Sequence, residues 1–341
     1  MKKKYIYYPI LYILAFFLLD KIFLLDYFQK EFLQTGNVVY YRQRHLLFER
    51  MKKAIPKDSR NLAVAFGDSR AYAFSERLLS NENKKKWMVY NFSAPQAPPI
   101  YAYYWFEKMI QNKVFPSLVI FTISPEGFTD SLRLVHSPVL RLGVDKEFIN
   151  KYWELFPEDD RHEYILDKLI ALRSVEVDYK LMLSRLKNGE LNQYDPSKNA
   201  YMAILNLYKG EQLAYTAFVN DIPRLESDSL RMRKLYFSNY KVDKTQFVFT
   251  EKLLELAQKN GVTVFVTWPK VYKELRKEYE KEKVKVVWQG ELKQLVGKYG
   301  MKFYNFNEIT KCDLFYDASH QSNLCFKEQI NFLVEEYQKV K

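Results

Sequence analysis

Five short apolar runs punctuate the chain: Leu62–Phe66, Trp87–Phe92, Leu118–Ser124, Val262–Trp268 and Lys302–Phe306. Each is rich in Val, Ile, Phe or Tyr. Most are continuous rather than alternating, as strands of a parallel sheet covered on both faces should be. Between the runs the apolar spacing turns helical. Arg70–Leu79 follows the first run, and the prolines of "APQAPP" lead into a helix over Ile100–Gln111. "TEKLLELAQKNG" ends at Gly261, a suitable C-terminal cap. Tyr272–Tyr299 reads as one long charged helix ended by Gly300, and Asn323–Gln338 closes the pattern. Strand alternating with helix predicts an α/β fold, a doubly wound parallel five-stranded sheet over 61–341. Residues 130–240 break the alternation. Their spacing is helical (Ile165, Leu169, Leu172) with no convincing strand, which predicts a helical insertion between the third and fourth strands.

The N-terminal pattern is different. "MKKKYIYYPILYILAFFLLDKIFLLDYF" places Lys2, Lys3 and Lys4 before an apolar stretch from Tyr5 to Leu19, which resumes at Ile22–Leu25 after Asp20 and Lys21. A cleaved signal peptide would end in small residues, whereas bulky Leu, Phe and Tyr follow here. The length approaches the ~20 residues that cross a bilayer. Residues 1–25 therefore predict an uncleaved signal anchor, a single transmembrane helix with a cytoplasmic N-terminus and the remainder in the periplasm or outside the cell. A buried or interfacial helix is the alternative. Residues 26–60 read as a charged, partly helical stalk.

Charge supports a surface partner. The net charge is +12 over 341 residues, and residues 1–60 hold twelve Lys or Arg against five Asp or Glu. Excess charge beside an apolar segment points to a membrane surface or an anionic envelope polymer. No nucleic-acid-binding motif is present. Two cysteines and four histidines without metal-ligand spacing argue against a zinc module, and no metal or cofactor is expected. Cys312 and Cys325 flank one loop and are compatible with a disulfide if that loop lies outside the cytoplasm.

That loop, "LFYDASHQSN", carries the chemistry. Asp317 and His320 stand three apart just before the last helix, and "FGDSR" places Ser69 directly after the first strand. A nucleophilic serine needs a base, and the base needs a partner that fixes its tautomer. Loops after the C-terminal ends of parallel strands gather on one sheet edge, so Ser69 and His320 should meet there. His45, His136 and His162 lack a matching Asp and read as structural, and Trp268 reads as core.

"FGDSR" at 66–70 and "DASH" at 317–320 together resemble the SGNH (GDSL-type) hydrolase superfamily, over roughly residues 60–125 and 245–341. The likeness is strongest to membrane-anchored, envelope-facing members, including alginate O-acetyltransferase-like proteins and the D-alanyl-lipoteichoic acid biosynthesis protein. The resemblance implies a flavodoxin-like sheet, Ser69 as nucleophile, His320 as base and Asp317 as its orienter. The Ser69 backbone N–H would help hold an oxyanion. Two departures stand out. The superfamily's oxyanion glycine is replaced by "NFSAPQ", so Ser93, Ala94 or Gln96 would have to serve, and its Gly-x-Asn-Asp by "ISPEGF", which has no asparagine.

Arg70 is a candidate acceptor-binding cation, with a salt-bridged helix residue as the plainer reading. The insertion, with Trp153, Arg161, Arg173 and Arg231, is expected to roof the catalytic edge and select an anionic or glycosidic acceptor, with a structural extension packed on the back of the sheet as the alternative. The expected function is a membrane-anchored serine esterase or O-acyltransferase, acting on an acylated or anionic envelope glycan or lipid. A non-catalytic envelope scaffold or binding protein on a decayed fold of the same type is the alternative.

Overall fold

A computed structural model describes residues 7–23, 25, 36–130, 134, 139–173, 183, 186–188, 208–212, 215, 218 and 221–340. The principal elements are α1 (Tyr7–Ile22), α2 (Gly36–Ala54), β1 (Asn61–Phe66), β2 (Trp87–Asn91), α3 (Pro99–Gln111), β3 (Leu118–Thr122), α4 (Glu158–Leu169), α5 (Ile222–Met232), α6 (Lys244–Lys259), β4 (Thr263–Trp268), α7 (Lys273–Lys281), α8 (Gly290–Lys298), β5 (Lys302–Asn305) and α9 (Phe326–Val340). All five strands are parallel, in the order β2-β1-β3-β4-β5.

The apolar runs are continuous because both sheet faces are covered. In β1, Leu62, Val64 and Phe66 enter a large core with α2, α3 and α6, while Ala63 and Ala65 face the core under α9. Opposite faces alternate along the strand, so each residue of the run is buried in turn. The small alanines belong to the cluster in which Ile330, Leu333 and Val334 of α9 pack.

Three expectations are corrected. Arg70–Leu79 is two short 3₁₀ turns, Ser69–Ala71 and Glu76–Leu78, rather than a helix. The buried Asn91 amide donates to the carbonyls of Ala71, Tyr72 and Phe74, which a helix would have bonded internally. Tyr272–Tyr299 is not one helix. α7 stops before Lys283, which takes a left-handed conformation, and a π-turn over Lys285–Gln289 leads into α8. Of the expected stalk over 26–60, residues 26–35 lie outside the described residues, and the remainder packs into the domain. In α2, Tyr41, Leu47, Phe48 and Met51 are buried, and the buried Arg44 donates to the carbonyls of Ser93 and Gly210.

Of the expected anchor over 1–25, residues 7–23 and 25 are described. α1 has 16 residues, about 24 Å of helix. Among the described residues no helix is long and apolar enough to cross a membrane. The C-terminal end of α1 is pinned to the domain. Asp20 is buried and accepts from the backbone N–H groups of Ala171 and Leu172, and Lys21 donates to the carbonyls of Lys168 and Leu169. Much of the expected insertion, including most of 174–207 and His136, lies outside the described residues.

Candidate active site

The turn after β1 is built to present Ser69. Gly67 has φ +146°, and a Cβ there would meet the Thr122 carbonyl of β3 at 2.5 Å. The chain therefore crosses tightly over the neighbouring strand and turns at once. Asp68 caps the following turn, accepting from the Arg70 backbone N–H at 2.9 Å. Ser69 then stands at the sheet edge formed by the C-terminal strand ends, where the loop before α9 arrives.

The two loops meet as a hydrogen-bonded chain. Ser69 Oγ lies 2.7 Å from His320 Nε2. His320 Nδ1 lies 2.9 Å from both carboxylate oxygens of Asp317. Asp317 also accepts from the Ser319 backbone N–H and hydroxyl and from the His320 backbone N–H. Burial works against charge on Asp317, but the His320 contact and the Ser319 donors outweigh it and hold the carboxyl down to about 2. Asp317 thus stays an acceptor, and His320 Nδ1 carries the proton that faces it. That leaves Nε2 free to accept from Ser69. A disulfide joins Cys312 to Cys325 and closes the loop that carries both residues.

Below Ser69 lies a buried ionic network. Arg70 is only 6 % exposed, paired with Asp68 at 2.5 Å and with Glu126 at 2.8 Å, and Tyr279 donates to Glu126 at 2.8 Å. The Asp68 carboxyl is held below its usual range. Burial opposes its charge, and the Arg70 guanidinium prevails. Arg70 does face the cavity beside Ser69, but two carboxylates already engage it. The salt-bridged reading of Arg70 is the one its surroundings match.

The oxyanion candidates separate cleanly. The Ser93 N–H donates to the Asn91 side chain at 2.9 Å and the Ala94 N–H to the Gly67 carbonyl at 3.1 Å. Both residues are fully buried, so neither amide is available to an oxyanion in this arrangement. Gln96 is exposed, has φ +52° and lines the cavity. The Ser69 N–H meets no acceptor among the described residues.

The cavity holds about 200 Å³ and is walled by Ser69, His320, Gln96, Arg231, Met232 and Tyr236. Of the four insertion side chains expected over the site, Arg231 lines it. Trp153 lines a separate groove, Arg161 pairs with Glu154, and Arg173 pairs with Glu163. Tyr215, not singled out by the sequence, stacks on His320 with ring centroids 4.3 Å apart. Burial, reinforced by the Asp317 carboxylate, pushes its phenol above the usual range, so it keeps its proton close to Ser69. His45 sits elsewhere, 4.8 Å from the Trp105 ring, and burial lowers it to about 4. Among the described residues no group of three or more His, Cys, Asp or Glu could hold a metal ion.

The arrangement can do one kind of chemistry well. Ser69 Oγ can attack an electrophilic carbonyl carbon while Nε2 of His320 takes its proton, and Asp317 stabilises the imidazolium that forms. The imidazolium can then return the proton to a departing alkoxide.

Fold and site define a parallel, doubly wound α/β protein with a hydrogen-bonded Ser–His–Asp chain at the C-terminal edge of its sheet. A family model described as "Protein of unknown function (DUF1574)" matches residues 1–337, and the chain belongs to that family. No curated protein matches it.

Asp317 gives a prediction in acid. A carboxyl lowered on folding adds stability that is fully present above its ordinary value of 3.8 and is lost as pH falls through its folded value of about 2. Wild type should exceed Asp317→Asn in unfolding free energy by up to about 2 kcal/mol at pH 5. The gap should narrow as the pH is taken from 4 to 2 in denaturant titrations. A gap that stays constant, or widens, contradicts the ionised carboxylate.

Proposed function

We propose that this protein is a serine acyl-ester hydrolase or O-acyltransferase of SGNH-like type, working through an acyl-Ser69 intermediate on an acylated envelope glycan or lipid. The observation that carries the reading is the continuous contact from Ser69 Oγ to His320 Nε2 and from Nδ1 to Asp317. Attack by Ser69 forms the acyl ester and releases the first alcohol, protonated by His320. A second hydroxyl, of water or of a sugar, then gives its proton to Nε2 and takes the acyl group. The acceptor would enter over Arg231 and Tyr236, a cation and an aromatic ring suited to an anionic or glycosidic group.

Two features support an extracytoplasmic, membrane-attached setting. The Cys312–Cys325 disulfide fits an oxidising compartment. On α1, Tyr7, Ile10, Leu11, Tyr12, Leu18 and Leu19 are all more than half exposed, which suits burial in lipid. One observation favours a non-catalytic scaffold: the Ser93 and Ala94 amides are already bonded, which leaves the oxyanion to Ser69, Gln96 or Tyr215.

A fluorophosphonate probe separates the two readings. The enzyme reading expects a phosphonyl adduct on Ser69 by peptide mass spectrometry, and none in Ser69→Ala. An intact, folded protein that takes no adduct at Ser69 favours the scaffold.

A further inference from the structure

A second concave surface lies beside the root of α1, lined by Tyr152, Trp153, Leu155, Tyr164, Ile165 and Leu169 with three lysines on its rim. Its volume is about 860 Å³. The lysines are Lys151, Lys168 and Lys252. Lys151 is paired with Glu107, and Glu154 on the rim is paired with Arg161. Lys168 and Lys252 have no carboxylate within ion-pair distance among the described residues. They lie over the rings of Tyr164 and Tyr152 instead. Ile165 and Leu169 are exposed at 46 % and 54 %. Aromatic rings, aliphatic side chains and unpaired lysines on one face are the composition of a surface that rests at a lipid–water boundary.

The position of this face supplies the second argument. The helix that bears Tyr164 and Lys168 is the one that grips α1. Lys21 of α1 donates to the Lys168 and Leu169 carbonyls, and Asp20 accepts from Ala171 and Leu172. The C-terminal end of α1 and this rim are therefore held together by four polar contacts. Where α1 enters lipid, the rim arrives at the headgroups.

We propose that this face, from Trp153 to Leu169 with Lys252, docks on an anionic lipid bilayer and fixes the orientation of the domain on the membrane. The proposal rests on membrane attachment through α1. The occupant is the bilayer surface, with Lys168 and Lys252 against lipid phosphates and Trp153 and Tyr164 at the headgroup level. The chain then meets the membrane at two places, and a domain held at two places cannot swivel freely about α1.

Tryptophan fluorescence tests this directly, because Trp87, Trp105, Trp268 and Trp288 are buried and Trp153 retains access to its surroundings. The full chain is bound to vesicles of phosphatidylglycerol and phosphatidylcholine brominated near the headgroup end of the acyl chain. Flotation reports attachment through α1, and quenching reports contact at Trp153. The expected result is flotation with strong quenching that vanishes in Trp153→Phe. Lys168→Gln with Lys252→Gln should float equally and lose most of the quenching. Phosphatidylcholine alone should also float the protein with little quenching. Flotation without Trp153 quenching overturns the docking face and leaves α1 attachment standing. Failure to float on either lipid overturns both. Quenching that is equal on the two lipids, and unchanged in the double lysine variant, overturns the role of the lysines and the anionic surface.

Discussion

Ser69→Ala is expected to lower turnover of a simple acyl ester by ~10³-fold or more, and His320→Ala by a similar factor. The reason lies in the single 2.7 Å contact between them. A serine hydroxyl is a weak nucleophile unless its proton leaves as the bond forms, and Nε2 is placed to take it. Without Oγ there is no covalent intermediate. Without Nε2 the attack must proceed from the neutral hydroxyl. The two losses therefore share one step, and the double variant should be little worse than either single one. Asp317→Asn keeps most of the shape but lets Nδ1 accept rather than donate, which turns the wrong nitrogen towards Ser69, so its loss should be equal or smaller. Initial rates on an activated acetyl ester across the four variants give the answer. Multiplicative losses, or a Ser69→Ala enzyme that keeps its rate, would falsify the shared step. The acidic limb of any pH–rate profile above pH 4 does not belong to Asp317, whose carboxyl is already ionised down to about 2.

The legible part of this fold was the part written as a repeated local signal. Each of the five apolar runs became a strand within two residues of its expected ends, because a strand buried on both faces must be apolar at consecutive positions. Parallel pairing then forces loops to one edge, so Ser69 and Asp317–His320 could be expected to meet although about 250 positions separate them. What failed were features set by a distant partner. Residues 70–79 have helical spacing, yet Asn91 in β2 takes the carbonyls that the helix needed. Nothing in the local pattern around Ala71, Tyr72 and Phe74 announces that competition. The charges of 26–60 suggested a solvated stalk, but Arg44 is buried with its guanidinium on two backbone carbonyls, and Tyr41, Leu47 and Phe48 fill the core.

The site shows the same division. Ser69, His320 and Asp317 were visible as a set because the residue types are few and their order is restrictive, and the three side chains do meet. The supporting residues were not. Glu126 was visible only as part of a departure from a motif, yet it pairs with the buried Arg70 and leaves that cation engaged beneath the serine rather than available above it. Tyr215 comes from a segment with no strong periodicity and gains its place from tertiary contacts: the Asn323 N–H donates to its carbonyl at 2.9 Å and its ring lies on His320. A tyrosine among the 27 in this sequence has no mark that separates such a role from a core ring.

Gly67→Ala is expected to damage the fold as well as the site. Gly67 and Gly261 both adopt positive φ, +146° and +63°. Their surroundings differ. A Cβ at Gly261 meets nothing within 4 Å, whereas at Gly67 it meets the Thr122 carbonyl at 2.5 Å and Thr122 Cβ at 3.0 Å. Thr122 cannot retreat easily. It belongs to β3 between β1 and β4, and its hydroxyl is bonded to Thr267 at 2.9 Å. The obstacle is thus backbone in the middle of the sheet, not the tip of a flexible side chain. Gly261→Ala should cost on the order of 1 kcal/mol, the ordinary penalty of a left-handed alanine. Gly67→Ala should cost more than about 3 kcal/mol, since steric overlap is added to backbone strain. That corresponds to a fall in Tm of at least about 5 °C. Below its Tm the variant should also lose fluorophosphonate labelling, because any relaxation of the clash moves the turn that holds Ser69 2.7 Å from His320. Thermal unfolding of the two glycine variants side by side decides the matter. Equal small shifts would mean that the turn tolerates a side chain and that close packing against β3 does not position Ser69.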